Sequence, residues 1–152
     1  MAAFRSVVVG VDGSAPSRRA AAFLARLEPP RGGRATIVSV VEPLHAPSTA
    51  LLPGRMRGRI AAMSADLQRE RLAAARRRAA SAARRAAAGG WKTEAAVRVG
   101  VPVDELLRAV SERKADLLVL GARGTSGLDR LLLGSVSQGA LRRAAVPVVI
   151  VK

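Results

Sequence analysis

The sequence predicts an α/β fold: a single doubly wound five-stranded parallel sheet, Rossmann-like, with helices on both faces. Short apolar runs alternate with helical patterns along the chain. Several of these runs are rich in β-branched residues and apolar on both faces, as buried parallel strands are. Right-handed crossovers then favour the sheet order 3-2-1-4-5. A length of 152 residues suits one domain with one core, so we expect residues 1–152 to form a single domain.

The first half of the chain supplies two strands and one helix. The first strand is expected in "RSVVVGV", and "DGSAP" then turns the chain. Ala20, Phe23, Leu24 and Leu27 recur at the spacing of a helix stripe, and "PPRGG" ends that helix. The second strand is "ATIVSVV". Prolines and glycines then predict a long irregular loop over residues 42–58, a length typical of functional or mobile segments.

The second half continues the alternation. Alanine and arginine favour a long helix over residues 59–88, which "GG" stops. The third strand is "KTEAAVRV", the next helix lies in "GVPVDELLRAVSERK", and the fourth strand is "DLLVLG". A glycine-rich loop, a helix from about Ser135 and the last strand, "VPVVIV", complete the chain.

Composition excludes several classes of function. The chain has no cysteine, which removes disulfides, thiolate metal sites and cysteine nucleophiles. No apolar stretch approaches the roughly 20 residues that span a bilayer, so we expect no membrane partner. The N-terminus enters a strand-like run without a small-residue cleavage site after an apolar core. We therefore expect no signal peptide and a cytoplasmic protein.

The net charge of +15 is concentrated in one segment. Residues 55–85 hold ten arginines against Asp66 and Glu70. Such a run is read first as a solvated helix face, with contact to a polyanion as the alternative. The chain's three aromatic residues lie outside this segment, where they offer no base-stacking platform. This disfavours nucleic acid as a partner.

A ligand site is expected where the winding of the sheet reverses, between strands 1 and 4. Ligands of doubly wound sheets bind outside the carboxyl ends of the strands at this switch point. Asp12 lies just past strand 1, and Gly121 opens the glycine-rich loop just past strand 4. Fold and motif therefore predict the same crevice.

Each residue type there has a physical role in binding a nucleotide. Gly121 and Gly124 allow positive φ and let the backbone approach a ligand closely. The segment 134–137 starts the last helix, whose free N–H groups and dipole favour anions. Ser135 is expected to cap this helix, and Ser135 and Ser137 to add hydroxyl donors. Asp12 suits a ribose hydroxyl, although "DGS" is also a plain turn and helix start.

These residues carry a resemblance to a known family. Gly121, Gly124, Gly134 and Ser135 meet the spacing G-x2-G-x9-G-[ST], which resembles the ATP-binding branch of the universal stress protein family. "VVVGVDGS" and "VPVVIVK" are similar to that family's first and last strands, so the likeness covers essentially the whole chain. One departure is Ser39, which stands where many members carry histidine.

The resemblance implies an ATP-binding regulator of stress response or dormancy. It implies adenine near Val40, Asp12 near the adenosine, and phosphates at Gly121, Arg123 and Gly124. The segment Gly134, Ser135, Val136 and Ser137 completes the implied phosphate site. Magnesium could accompany the phosphates, but no carboxylate cluster in the sequence identifies metal ligands.

No catalytic residue is assigned. The loop lacks GxxxxGK[ST], and no general base is evident, although phosphoryl transfer depends on placed charge and a positioned nucleophile. The only histidine, His45, falls in the proline-rich loop and is read as exposed and non-catalytic. The enzyme alternative is a slow ATPase or a nucleotidyl transferase of related fold.

The last strand predicts how the protein assembles. In the order 3-2-1-4-5 it lies at one edge, and an uncovered apolar edge invites pairing with another chain. Closed two-fold dimers are the commonest way to satisfy such a surface. The family resemblance implies the same pairing, so we expect a homodimer through the C-terminal strand.

Overall fold

A computed structural model describes residues 4–44, 50–122 and 133–152 of the protein. Within these ranges, strands and helices alternate in the predicted order. The elements are β1 (Ser6–Gly10), α1 (Ala15–Arg26), β2 (Arg34–Val41), α2 (Gly54–Ala88), β3 (Lys92–Val99), α3 (Pro102–Glu112), β4 (Leu117–Gly121), α4 (Ser135–Arg143) and β5 (Val148–Val151).

The five strands form one parallel sheet in the order β3-β2-β1-β4-β5, which confirms the predicted fold. β1 lies at the centre, where Val9 pairs with Ile37 of β2 and with Val119 of β4. Each of these three side chains is fully buried. A β-branched strand that is apolar on both faces therefore occupies the position that is covered from both sides.

Helices cover both faces of the sheet. On one face, α1 and α2 pack with the odd-numbered residues of β1, Val7 and Val9. On the other face, α3 and α4 pack with Val8. This division follows from the two-residue side-chain period of a strand. The carboxyl ends of β1, β2 and β4 lie between the two helical layers, where the predicted ligand site lies.

Helix α2 is longer than the sequence predicts. It begins at Gly54 rather than Arg59, so the expected loop over residues 42–58 ends earlier. Pro53 stands just before the helix, and its carbonyl oxygen accepts hydrogen bonds from the N–H groups of Met56 and Arg57. Pro53 is thus the N-cap of α2, and the helix includes Gly54 and Gly58, which the sequence assigned to the loop. His45 lies outside the described residues.

The two halves of α2 have different surroundings. Its C-terminal half packs on β2, β3 and α1 through alanines, namely Ala75, Ala79, Ala82, Ala83 and Ala86. Its N-terminal half is largely exposed, including Met56 and Met63. Among the helices of the described ranges, none combines the length and the apolar character that crossing a membrane requires.

Candidate functional site

A cavity of about 430 Å³ opens at the carboxyl ends of β1, β2 and β4. Its volume falls within the usual range of small-molecule sites. It lies at the switch point between β1 and β4, as predicted. The lining residues are Gly10, Val11, Asp12, Ser17, Val38, Val40, Val41, Glu42, Arg71, Ala74, Arg78, Pro102, Leu106, Leu120, Gly121, Gly134, Ser135, Val136 and Ser137.

The cavity brings together most of the residues that the sequence singled out. Asp12, Val40 and Gly121 line it, as does the whole segment 134–137. Arg123 and Gly124 lie outside the described residues, so their predicted roles stay predictions. What the cavity binds likewise stays a prediction at this point.

Asp12 has a structural role as well as a place in the cavity. Its Oδ1 accepts a hydrogen bond of 2.8 Å from the N–H of Ser14. Ser14 caps α1, and its side chain accepts from the N–H of Ser17. Asp12 therefore fixes the turn that starts α1, and the same turn holds its carboxylate at the cavity wall.

Gly121 serves packing rather than an unusual backbone conformation. Gly121 does not use the positive φ that glycine allows. A Cβ at Gly121 would lie 2.5 Å from the carbonyl carbon of Pro16 and 2.6 Å from the nitrogen of Ser17. Glycine is required because the end of β4 approaches the backbone at the start of α1 closely.

The start of α4 departs from the prediction in one respect. Gly134, not Ser135, is the N-cap, and no side chain caps the helix. Gly134 takes the extended conformation of a cap, while its N–H donates to the carbonyl oxygen of Ala122. Ser135 is therefore already the first helical residue. The first N–H that bonds back to the cap is that of Gln138, to the oxygen of Gly134.

The first turn of α4 consequently presents donors to the cavity. The N–H groups of Ser135, Val136 and Ser137 have no partner within the helix. These groups carry the positive end of the helix dipole, which favours an anion. The hydroxyl of Ser137 is already used, because it donates a 2.7 Å hydrogen bond to the carbonyl oxygen of Gly121. Ser135 is exposed, so its hydroxyl is the one available to a ligand.

β2 supplies the apolar side of the cavity. Val38 is fully buried and Val40 is half-buried, and both line the cavity. Ser39, between them, is fully buried on the opposite face of the strand, and its hydroxyl has no hydrogen-bond partner among the described residues. The residue that departs from the family pattern therefore does not line the cavity.

Sequence reasoning missed the contribution of α2. Arg71, Ala74 and Arg78 line the cavity at positions i, i+3 and i+7, which is one face of a helix. Of the ten arginines in residues 55–85, these two are half-buried and the other eight are exposed. Arg71 and Arg78 are seven residues apart, a spacing that puts them on one helix face. The eight other arginines of this segment prevent the sequence from singling them out.

The charges on the cavity wall are balanced. Two carboxylates, Asp12 and Glu42, and two guanidinium groups, Arg71 and Arg78, line it. Over residues 4–44, 50–122 and 133–152, no three His, Cys, Asp or Glu side chains group as a metal site would require. The cavity wall thus offers both carboxylate acceptors and guanidinium donors.

Sequence comparison relates the whole chain to one family. The model of the universal stress protein family matches residues 3–152. Universal stress protein Rv1636 of Mycobacterium tuberculosis is 36% identical over 154 residues, covering 99% of this chain and 98% of that protein. A Thermus aquaticus universal stress protein is 30% identical over 98% of this chain and 99% of its own length. With universal stress protein MJ0531 of Methanocaldococcus jannaschii, 41% identity extends over 63 residues, 41% of this chain and 37% of that protein.

Solved structures agree with the fold. A universal stress protein crystallised in complex with cAMP is 31% identical, with a TM-score of 0.65 over 99% of this chain and 98% of its own. Protein MJ0577 of Methanocaldococcus jannaschii has a TM-score of 0.83 at 16% identity, over 99% of this chain and 97% of its own. At that identity the likeness concerns the fold alone. The predicted family is confirmed, and the predicted ATP-binding branch stays a prediction.

Proposed function

Because this chain belongs to the universal stress protein family, we propose that it binds an adenine nucleotide, ATP, in the cavity at the β1–β4 switch point. One observation carries the proposal: the open first turn of α4 and the carboxylate of Asp12 line the same cavity. The start of a helix can bind the phosphates of a nucleotide, and a carboxylate can accept a hydrogen bond from a ribose hydroxyl. The relative crystallised with cAMP, at 31% identity, supports an adenine nucleotide as the ligand class.

The proposed roles follow from the position of each residue. The adenine lies against Val40 on the apolar β2 side of the cavity, and Asp12 accepts a hydrogen bond from the ribose. The phosphates bind the N–H groups at the start of α4, with the Ser135 hydroxyl as a further donor. Arg123 and Gly124 are proposed as further phosphate ligands, because they lie within the glycine motif.

Magnesium can accompany the triphosphate. Protein sites usually hold this ion through one or two carboxylates together with the phosphates of the substrate. Asp12 and Glu42 are the carboxylates on the cavity wall. We assign no catalytic step to them, because the proposed function is binding. The protein is proposed to act in the cytoplasm as a nucleotide-dependent regulator of stress response or dormancy, as a homodimer through β5.

The test is to identify nucleotide bound to the freshly purified protein by mass spectrometry, followed by titration of the nucleotide-free protein with ATP. The proposal predicts ATP in the released fraction and a rise in melting temperature on adding ATP, because a ligand that binds only the folded state stabilises it. A protein that releases no adenine nucleotide and does not respond to ATP, ADP, AMP or cAMP would refute it. Steady release of ADP from ATP, lost on mutation of the cavity, would instead favour the slow ATPase.

A further inference from the structure

Two arginines of α2 have positions that the glycine motif does not explain. Arg71 and Arg78 are half-buried on the face of the helix that lines the cavity. The five buried alanines of the C-terminal half of α2 allow the helix to lie close to the sheet. This packing holds the segment around Arg78 in place, so its side chain reaches the cavity from a rigid element.

Arg78 lies beside the turn that carries Asp12. A Cβ built on Gly13, whose φ is +88°, would come within 2.7 Å of the Cδ of Arg78 and 3.6 Å of its Nε. The stem of Arg78 therefore packs against the Gly13 backbone. It occupies space that the Cβ of any other residue at position 13 would need. This contact brings the guanidinium to the carboxyl end of β1, next to the proposed nucleotide.

The Nε of Arg78 is buried, and it has no hydrogen-bond partner among the residues that the structure describes. Neither Arg71 nor Arg78 forms an ion pair within the part of the chain that the structure describes. Asp12 lines the same cavity, and its Oδ1 accepts a hydrogen bond from the N–H of Ser14. A buried donor on a charged group without an acceptor is costly, so the site favours an anion that supplies one.

We propose that Arg71 and Arg78 form a cationic wall of the cavity and bind the phosphate oxygens of the nucleotide, Arg78 through its unpartnered Nε–H. This rests on the proposed function and adds ligands from an element outside the glycine motif. The phosphates would then lie between two positive sources, the first turn of α4 and the arginines of α2. The simpler alternative is that the stem of Arg78 only packs on Gly13 while its charge faces water.

Calorimetry of adenosine, AMP and ATP with Arg78→Met separates the two accounts. Methionine keeps much of the stem and removes the charge. We expect AMP and ATP to bind about 10- to 100-fold more weakly, the value of a lost charge-assisted hydrogen bond, with adenosine little changed. Arg77→Met removes the same charge from the exposed side of the same helix and should change none of the three affinities.

The outcomes distinguish this inference from the proposed function. Unchanged ATP affinity, or an equal loss for adenosine and ATP, overturns the role of Arg78 and leaves nucleotide binding intact. If the wild type binds none of the three, nucleotide binding itself fails. Tripolyphosphate then becomes the probe: the inference predicts a smaller thermal shift for Arg78→Met than for Arg77→Met, and equal shifts overturn it, since both variants have the same net charge.

Two further variants protect the test against a folding defect. Arg78→Lys keeps a positive charge but lacks the Nε–H, so its ATP affinity should fall between those of the wild type and Arg78→Met. Arg71→Met leaves the packing on Gly13 untouched and should weaken ATP more than adenosine. A wild-type ATP affinity in both variants contradicts the cationic wall.

Discussion

The hydroxyl of Ser137 in α4 donates a 2.7 Å hydrogen bond to the carbonyl oxygen of Gly121 at the end of β4. This bond joins the two ends of the glycine-rich segment, and Ser137 is almost fully buried. The motif therefore contains residues that shape the site as well as residues available to a ligand.

The two serines of α4 should consequently respond differently to substitution. Ser137→Ala removes a buried hydrogen bond and should lower the free energy of unfolding by about 1–3 kcal/mol. Ser135→Ala, at an exposed position, should change stability by less than about 0.5 kcal/mol and should weaken ATP binding. Urea unfolding and calorimetry measure the two effects. Equal stability of both variants would show that the Ser137 contact contributes nothing.

Gly121→Ala tests whether this glycine is needed for packing. The new Cβ would meet the backbone of Pro16 and Ser17 at 2.5 and 2.6 Å, distances that require the backbone to move. We expect a loss of about 1–3 kcal/mol in the free energy of unfolding. Gly58→Ala is the control, since a Cβ there meets nothing within 4 Å and helix α2 should gain roughly 0.5–1 kcal/mol. A Gly121→Ala protein as stable as the wild type would remove the packing argument.

An ion-pair network between β3 and α3 predicts a pH dependence. Arg98 of β3 donates a hydrogen bond to Glu112 of α3, and this bond lowers the pKa of Glu112 below its usual 4.5. A carboxylate with a lowered folded-state pKa stabilises the fold above its unfolded pKa, and this contribution is lost as pH falls through the folded pKa. The contact also raises the pKa of Arg98, which stays charged throughout.

Glu112→Gln should therefore be less stable than the wild type at neutral pH. The difference should shrink as pH falls below 4.5, because the wild-type carboxylate becomes protonated. Glu70→Gln, an exposed carboxylate of α2, is the matched control for the change in net charge. Denaturant midpoints across this range give the comparison. A stability difference that is the same at every pH would contradict the assignment to Glu112.

β5 should form the contact between two copies of the chain. In the described sheet it pairs only with β4, and each of its four residues is half-exposed. The carbonyls of Pro147 and Val151 bond to β4, so the N–H and C=O of Ile150 face outward. Ile150→Pro removes an outward donor and should give monomers, whereas the wild type should be dimeric by light scattering. A monomeric wild type at micromolar concentration would contradict this account of the edge.

The sequence predicts the fold well because the sheet order follows from patterns that are local. Each strand is an apolar run and each helix has an apolar period of its own. The right-handed crossover between parallel strands then sets the sheet order. Boundaries are less certain, and α2 shows why. Its start depends on Pro53 and on the exposed first turns, where no buried face marks a period.

The site is predicted in part for a related reason. Asp12 and the start of α4 are visible because they adjoin strand ends. Arg71 and Arg78 reach the cavity because α2 packs on β2, β3 and α1 through its alanines, which is a tertiary arrangement. The roles of Gly121 and Ser137 likewise depend on a close approach between β4 and its neighbouring helices, which is a tertiary property.

The most direct measurement of the central claim is the calorimetric affinity of ATP for the wild type and for Gly134→Val. Gly134 has φ −63° and ψ 155°, which valine adopts without strain, so the variant should fold. Gly134 lines the cavity, so a branched side chain there is expected to take up space that the ligand needs. Gly54→Val, at the exposed start of α2, is the control. Nucleotide binding at the cavity predicts ATP binding by the wild type and by Gly54→Val, and its loss in Gly134→Val. An unchanged ATP affinity in a folded Gly134→Val protein would contradict it.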